Sequence, residues 1–274
     1  MIVNKSEVII GRIVLIVVLL LTVIPIVNML SAALQPADRN PTGLAWPTDP
    51  QWGNFVTAFE TGHVFQLMGS SLFIVVFVVP ICLLFATLAG YALGNLRMKG
   101  GRFLFIFLLL GLTIPFEALI IPLYYQIQSM GLLNTQWAII LPLIGLYMPF
   151  SVIWMRAHFV SVPQELSEAA RVDGATTIQE FRRIQLPLAR PALSALAILL
   201  FLWTWNQFLL PVVLVSDPLN RTVAGALTFF QGQYSSSLPL LNAGALIIIV
   251  PTILVFVIFQ RQFIKALLQG AVKG

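Results

Sequence analysis

The charged side chains of this 274-residue sequence are concentrated in one segment, from Arg156 to Arg190. Its 35 residues contain nine of the 25 charged side chains of the chain, including four of the ten acids. Apolar residues recur beside these charges in a pattern typical of an amphipathic helix that docks into a groove on another protein; they are Leu166, Ala169, Ala170 and Val172. The chemistry that this segment predicts is recognition of a partner protein.

Helix start and stop signals divide the segment into a helix, a sharp turn and a second helix. Gly174 suits a left-handed helix end, and Pro187 is expected to end the second helix. The capping candidates are Ser161 or Ser167 for the first helix and Thr176 or Thr177 for the second.

Two further sets of side chains lie inside long apolar runs and are candidates for contact with a small-molecule ligand. Glu117, between two prolines, would be costly inside a membrane and is therefore a functional candidate; its alternative role is structural, in which it reaches the headgroups or bonds a backbone group freed by proline. The second set combines aromatic faces, which can stack on a ligand ring, with amides for bidentate hydrogen bonds, and packing between helices is its alternative role; it consists of Trp203, Thr204, Trp205, Asn206 and Gln207.

Several kinds of chemistry lack the residues that they need. The sequence has no GxxxxGK followed by Ser or Thr, so we expect no P-loop nucleotide site. The single cysteine, Cys82, excludes an internal disulfide, and the two histidines are predicted on opposite sides of the membrane. We therefore expect no metal site and no cofactor bound by this chain.

The elements that hold these residues are predicted to be membrane-spanning helices. The chain is 59% hydrophobic and 9% charged, with a mean hydropathy of +0.95. Runs that are apolar on every face exclude a barrel of alternating strands. Six runs reach the length that a helix needs to cross a bilayer: about 13–34, 71–93, 103–125, 137–155, 193–215 and 242–259. The predicted fold is an all-α membrane protein with one domain, 1–274, and a cytoplasmic loop, 156–190, between the fourth and fifth spans.

Basic residues set the expected orientation, because Lys and Arg are retained on the cytoplasmic side. With six spans, 13 of the 15 basic residues fall on one side, and only Arg39 and Arg221 fall on the other. Both termini are therefore predicted in the cytoplasm. A cleaved signal peptide is the alternative for the first run, which is longer than the apolar core of such a peptide.

A family resemblance rests on the spacing of seven residues in the charged segment. They match the EAA loop of permease subunits of ATP-binding-cassette (ABC) importers, a spacing far more specific than a lone glycine pattern; the residues are Glu168, Ala169, Ala170, Gly174, Ile184, Leu186 and Pro187. The chain also resembles the carbohydrate branch of these permeases, specifically the smaller subunit of the maltose, trehalose and glycerol-3-phosphate type. That likeness rests on WNQFLLP at 205–211, RTVAGAL at 221–227 and QGAVKG at 269–274.

The resemblance implies a bacterial inner-membrane importer subunit for an oligo- or disaccharide, without enzyme activity of its own. It implies a heterodimer with a second permease, two copies of a cytoplasmic ATPase that uses ATP and Mg, and an extracytoplasmic binding protein. Glu168 would pair with a basic side chain of the ATPase, with Glu165 and Asp173 on the same docking segment.

Three alternatives need residues that the sequence provides poorly. Glycerol-3-phosphate or a phosphodiester is the rival substrate, which would favour basic residues near the midplane. A secondary transporter should have paired interrupted helices and ion-coupling groups. A membrane enzyme would need clustered acids, histidines or a nucleophile with its base.

Overall fold

The computed structural model describes residues 5–38, 43, 46–96, 98–230 and 237–271, with side chains from residue 8 to residue 261. Within these residues all regular structure is helical, as predicted. Three basic residues that were used to predict the orientation lie outside the described residues: Arg39, Arg97 and Lys273. The end of the QGAVKG motif also lies outside them. The α-helices are α1 Lys5–Ala33, α2 Gly53–Thr61, α3 Val64–Gly94, α4 Gly101–Thr113, α5 Ile120–Ser129, α6 Trp137–Ser161, α7 Gln164–Val172, α8 Thr177–Glu180, α9 Leu186–Leu188, α10 Arg190–Trp205, α11 Leu209–Leu214 and α12 Leu238–Ala271.

Four helical segments of the described chain are long and apolar enough to cross a membrane: Val8–Ala33, Val64–Gly94, Trp137–Ser161 and Leu238–Arg261. Two bent helix pairs raise the number to six if each pair counts as one span. These are Gly101–Thr113 with Phe116–Ser129, bent by 95°, and Thr177–Leu188 with Arg190–Trp205, bent by 68°.

The third predicted span, 103–125, is not one continuous helix. α4 ends at Thr113, Ile114 is extended, and a 3-10 helix, Phe116–Leu119, leads into α5. Pro115 explains the break, because proline disfavours the helical conformation of the residue before it and has no N–H to donate. The prediction of an uninterrupted span here is wrong.

The fifth predicted span, 193–215, is also interrupted. α10 ends at Trp205, and α11 begins only at Leu209. The Asn206 side chain donates to the Leu202 carbonyl at 2.8 Å, a local bond of the kind that lets Asn replace the helical pattern at a helix end. The two amides that were candidates for sugar contact therefore lie in a helix break.

The described residues fall into two compact units. In the unit Met1–Phe65 with Ala226–Val250, a small core forms around Ala33, Ala58, Phe230 and Ala243. Asn54 is buried there and donates its amide to the carbonyls of Ala33 and Gln35, at 2.8 and 2.7 Å. This side chain fixes α2 against the end of α1.

The unit Gln66–Gly225 with Pro251–Gly274 contains the larger core, built mainly from α3, α6 and α10. α3 meets α6 at two glycines four residues apart: a Cβ on Gly90 would lie 2.6 Å from Met155 Cβ, and one on Gly94 would lie 3.1 Å from Phe159 Cβ. Small residues at this spacing let two membrane helices approach closely. Gly90 and Gly94 are therefore close-packing points, and the contact fixes the end of α3 beside the charged segment.

Candidate functional site

The charged segment leaves α6 through an extended Val162 and enters α7 at Pro163. Pro163 suits this position because its backbone angle is fixed and its missing N–H is not needed at a helix start. Neither serine predicted as a cap has that role: the Ser161 hydroxyl donates to the His158 carbonyl, and Ser167 is buried inside α7. That capping prediction is wrong.

α7 ends in a left-handed turn at Gly174, where φ is +77°. The Gly174 N–H donates to the Arg171 carbonyl at 3.1 Å, and the Ala175 N–H donates to the Ala170 carbonyl at 2.9 Å. These two bonds form the Schellman motif, which satisfies the last carbonyls of a helix. The predicted glycine turn is confirmed.

The helix after the turn begins with a capping box at Thr176, one of the two predicted caps. The Thr176 hydroxyl accepts from the Gln179 N–H at 3.3 Å, and the Gln179 side chain accepts from the Thr176 N–H at 2.8 Å. Helical backbone then continues from Thr177 to Leu188, with a π-helical turn at Phe181–Gln185. Pro187 does not end the helix at its own position, because it lies in the first turn of α9, where no N–H is needed.

The two helices present acidic and apolar side chains to the outside of the chain. The acids Glu165, Glu168 and Asp173 are exposed, as are Ala169 and Gly174. Three large apolar residues lie among them: Val172 is 87% exposed, Ile178 is 70% exposed and Leu166 is 41% exposed. We call these eight residues the docking face.

Three of the other residues of the seven-residue match pack at least partly against their own chain. Ala170 is buried, while Ile184 and Leu186 are half-buried and Pro187 is exposed. The small size of Ala170 therefore serves packing within the chain, and of the two alanines only Ala169 is available to a partner.

A buried polar cluster lies beneath the docking face, and the sequence reasoning missed it. Glu180 is only 2% exposed, although it belongs to the charged segment. The amides of Asn95 and Gln185 each donate to Glu180 Oε1, at 3.3 and 3.4 Å, and each also donates to Ser167 Oγ, at 3.4 and 3.1 Å. We call Asn95, Ser167, Glu180 and Gln185 the Glu180 cluster; it joins the end of α3 to both helices of the segment.

The candidates for sugar contact are divided by the helix break after α10. Trp203 is 38% exposed and its ring contacts Phe150 and Tyr147, with centroids at 4.9 and 5.6 Å. Trp205 is instead buried and stacks on Phe201 at 5.5 Å. The break thus leaves one tryptophan accessible and packs the other into the chain.

The polar residues around this break have different partners. Asn206 is exposed, with its amide bonded to the preceding helix turn. Gln207 is half-buried and its carbonyl accepts from the Thr222 hydroxyl. The Thr204 hydroxyl is buried without a hydrogen-bond partner and lies near the Tyr147 hydroxyl. Tyr147 thus joins Trp203, Thr204 and Gln207 in one place, and no periodicity in the sequence indicates this contact.

Glu117 is exposed and lies in the 3-10 helix at the bend between α4 and α5. The structure does not bring it together with the residues around Trp203 through any described contact. Its position at a bend fits either of the two roles expected for it.

Known proteins resemble this chain over most of its length. Residues 86–269 match the family model described as binding-protein-dependent transport system inner membrane component. An arabinooligosaccharide transport system permease of Halalkalibacterium halodurans is 37% identical, over 93% of this chain and 92% of the relative. A diacetylchitobiose uptake system permease of Streptomyces coelicolor is 32% identical, over 82% of this chain and 75% of the relative.

The fold also has a counterpart among solved structures. A bacterial ABC transporter involved in the import of the acidic polysaccharide alginate contains a chain that aligns with a TM-score of 0.78 and 22% identity, over 95% of this chain and 98% of that one. The helical arrangement is therefore an ABC transporter permease fold. The family match, the extent of the sequence likeness and the apolar helices together show the family: this chain belongs to the binding-protein-dependent transport system inner membrane components.

Proposed function

We propose that this chain is a multi-pass permease subunit of a bacterial importer that takes up an oligo- or disaccharide, driven by ATP hydrolysis on a separate subunit. The observation that carries the proposal is the docking face, where exposed acids and large apolar side chains lie on two short helices between α6 and α10. A large exposed apolar side chain such as Val172 is unfavourable in water, and a protein partner would cover it.

The proposed partner at this face is a cytoplasmic ATPase, present in two copies and using ATP and Mg. Its groove should be apolar at the centre, to receive Leu166, Val172 and Ile178, and basic at its rim, to receive Glu168. The other proposed partners are a second, homologous permease and an extracytoplasmic sugar-binding protein. Both termini of this chain would then lie in the cytoplasm, and the chain itself would hydrolyse no ATP.

The carbohydrate substrate is supported by the names of the relatives, which transport arabinooligosaccharides and diacetylchitobiose. Within this chain we propose Trp203 as the stacking surface in the pathway and Gln207 as a hydrogen-bonding group beside it. We do not place Trp205 in the pathway, because it is buried, and we keep the exposed Asn206 and Glu117 as further candidates.

The first test is purification of the chain from its native membrane in mild detergent, with identification of the proteins that accompany it. We expect a second permease and an ATPase. Glu168→Arg reverses one charge of the docking face and should reduce recovery of the ATPase at least fivefold, without loss of the second permease. Glu60→Arg, which changes an exposed acid on α2, is the matched control and should recover both.

Uptake into proteoliposomes that contain the purified complex and its binding protein would then separate the substrates. Arabinotriose, diacetylchitobiose, trehalose and glycerol-3-phosphate form the panel, and we expect ATP-dependent uptake of at least one of the three sugars. Uptake of glycerol-3-phosphate alone would overturn the sugar assignment. Full transport by the chain purified without an ATPase would favour a secondary transporter.

A further inference from the structure

We propose that Glu180 is a positioning residue. Through the Glu180 cluster it locks the docking segment, which is the pair of helices that carry the docking face, to the end of α3, so that movement imposed on α7 also moves α3. This inference rests on the proposed function, because it assumes that a partner displaces α7. It concerns a residue outside the docking face, since Glu180 is buried and cannot touch that partner.

The cluster is shared among three separate parts of the chain. Asn95 follows the last turn of α3, Ser167 lies in α7, and Glu180 and Gln185 lie in the Thr177–Leu188 helix. Because each amide donates to both Ser167 and Glu180, no two of these parts can separate without breaking hydrogen bonds. Such bonds depend steeply on distance and angle, so a small displacement of one part weakens its bonds to the others.

The π-helical turn at Phe181–Gln185 makes the cluster possible. In a regular α-helix, side chains five residues apart diverge by about 140° around the axis, since each turn holds 3.6 residues. A π-helical turn instead bonds residue i to residue i+5 and brings such a pair onto one face. Glu180 and Gln185 are separated by five residues, and their side chains meet at 3.4 Å.

Stability alone does not account for the burial of this carboxylate. The nearest cation, Arg171, lies 3.8 Å away and is 61% exposed, so much of its charge is screened by solvent. Buried charged groups are often no more stabilising than apolar residues of the same volume. The advantage of a carboxylate here is therefore a fixed geometry rather than a larger free energy of unfolding.

Aromatic packing extends the connection to α6. The Tyr91 ring, one turn before Asn95 on α3, contacts Phe181 and Phe159, with centroids at 4.8 and 5.4 Å. The Tyr91 hydroxyl is buried beside the Glu180 carboxylate, although its geometry falls short of a hydrogen bond. A small shift of the docking segment would bring the Tyr91 hydroxyl within hydrogen-bonding distance of Glu180. α3 would then be connected to the docking segment both through Asn95 and through Tyr91.

The test is hydrogen exchange in the complete transporter complex, purified as above, with and without Mg, ATP and vanadate to hold the ATPases closed. In the wild type we expect the nucleotide to change amide exchange both in α7 and at residues 88–95, the end of α3. In Glu180→Leu, which keeps the volume but removes the acceptor, the change at residues 88–95 should fall at least threefold while the change in α7 persists.

Two further variants make this result specific. Glu180→Gln keeps an acceptor oxygen and should restore at least half of the change at residues 88–95. Arg182→Gln, an exposed substitution on the same helix, is the matched control and should behave as wild type. Asn95→Leu breaks the cluster from the α3 side and should reproduce Glu180→Leu.

The outcomes separate the two proposals. If nucleotide changes exchange in neither α7 nor α3 of the wild type, the docking proposal fails. If α7 and α3 both respond in Glu180→Leu and Asn95→Leu as in the wild type, docking stands and the positioning role of Glu180 is overturned. Failure of both leucine variants to assemble, with Glu180→Gln assembled, would make the cluster a folding element and would also overturn the positioning role.

Discussion

The turn at Gly174 offers the most direct test of the docking segment, because its energetics follow from one backbone angle. Gly174 has φ of +77°, and a Cβ added there would meet nothing within 4 Å. Gly174→Ala therefore introduces no clash, and its whole cost is that of the left-handed conformation, about 1–2 kcal/mol for an L-residue. This free energy corresponds to a factor of about 5–30 in the population of the closed turn.

Amide exchange of Ala175 measures that population directly, because its N–H donates to the Ala170 carbonyl across the turn at 2.9 Å. We expect exchange in Gly174→Ala to be about 5–30 times faster than in the wild type, following the same free energy. Gly174→Asn is the control, since Asn tolerates this conformation, and its exchange should stay much closer to wild type. Equal exchange rates in the alanine variant and the wild type would refute the reasoning, because the turn would then be held by contacts elsewhere.

Three further predictions concern packing, capping and the pathway. Gly90→Ala places a Cβ 2.6 Å from α6 and should destabilise the fold by about 1–3 kcal/mol, seen as a lower melting temperature in detergent, whereas Gly69→Ala, with nothing within 4 Å, should not. Thr176→Val removes the hydroxyl that caps the Gln179 N–H and should weaken the first turn of that helix by about 1 kcal/mol; unchanged amide exchange there would contradict the capping role. Trp203→Ala should lower sugar uptake several-fold with ATPase recovery unchanged, and uptake equal to wild type would remove Trp203 from the pathway.

Hydropathy predicted where the apolar helices lie but not where they break. Apolar composition is continuous from 103 to 125 and from 193 to 215, so hydropathy averaged over about 20 residues shows no interruption. The breaks depend on single residues: Pro115 acts on the residue before it, and Asn206 bonds its own helix end. Proline also occurs inside α3 and α6 without ending either helix, so its presence alone does not locate a break.

The exposed part of the docking segment was predictable because its signals are local. The glycine turn and the threonine cap act within four residues, and sequence shows such motifs directly. The Glu180 cluster was not predictable for two reasons. Asn95 lies 85 residues from Glu180 in the sequence, and the π-helical turn changes which side chains share a face.

Because of the 68° bend between the Thr177–Leu188 helix and α10, a rotation of the docking segment would move the far end of α10 sideways. Ala189, a small, fully buried residue, lies between the two helices and would be the pivot of such a rotation. α10 has 16 residues, and a helix of that number is about 24 Å long at its usual rise per residue. A tilt of about 10° at the pivot would therefore carry Trp205 sideways by about 4 Å, when the arm is taken at that length. The neighbouring Trp203 would travel almost as far, so a small rotation at Ala189 is geometrically sufficient to displace the residues at the far end of α10.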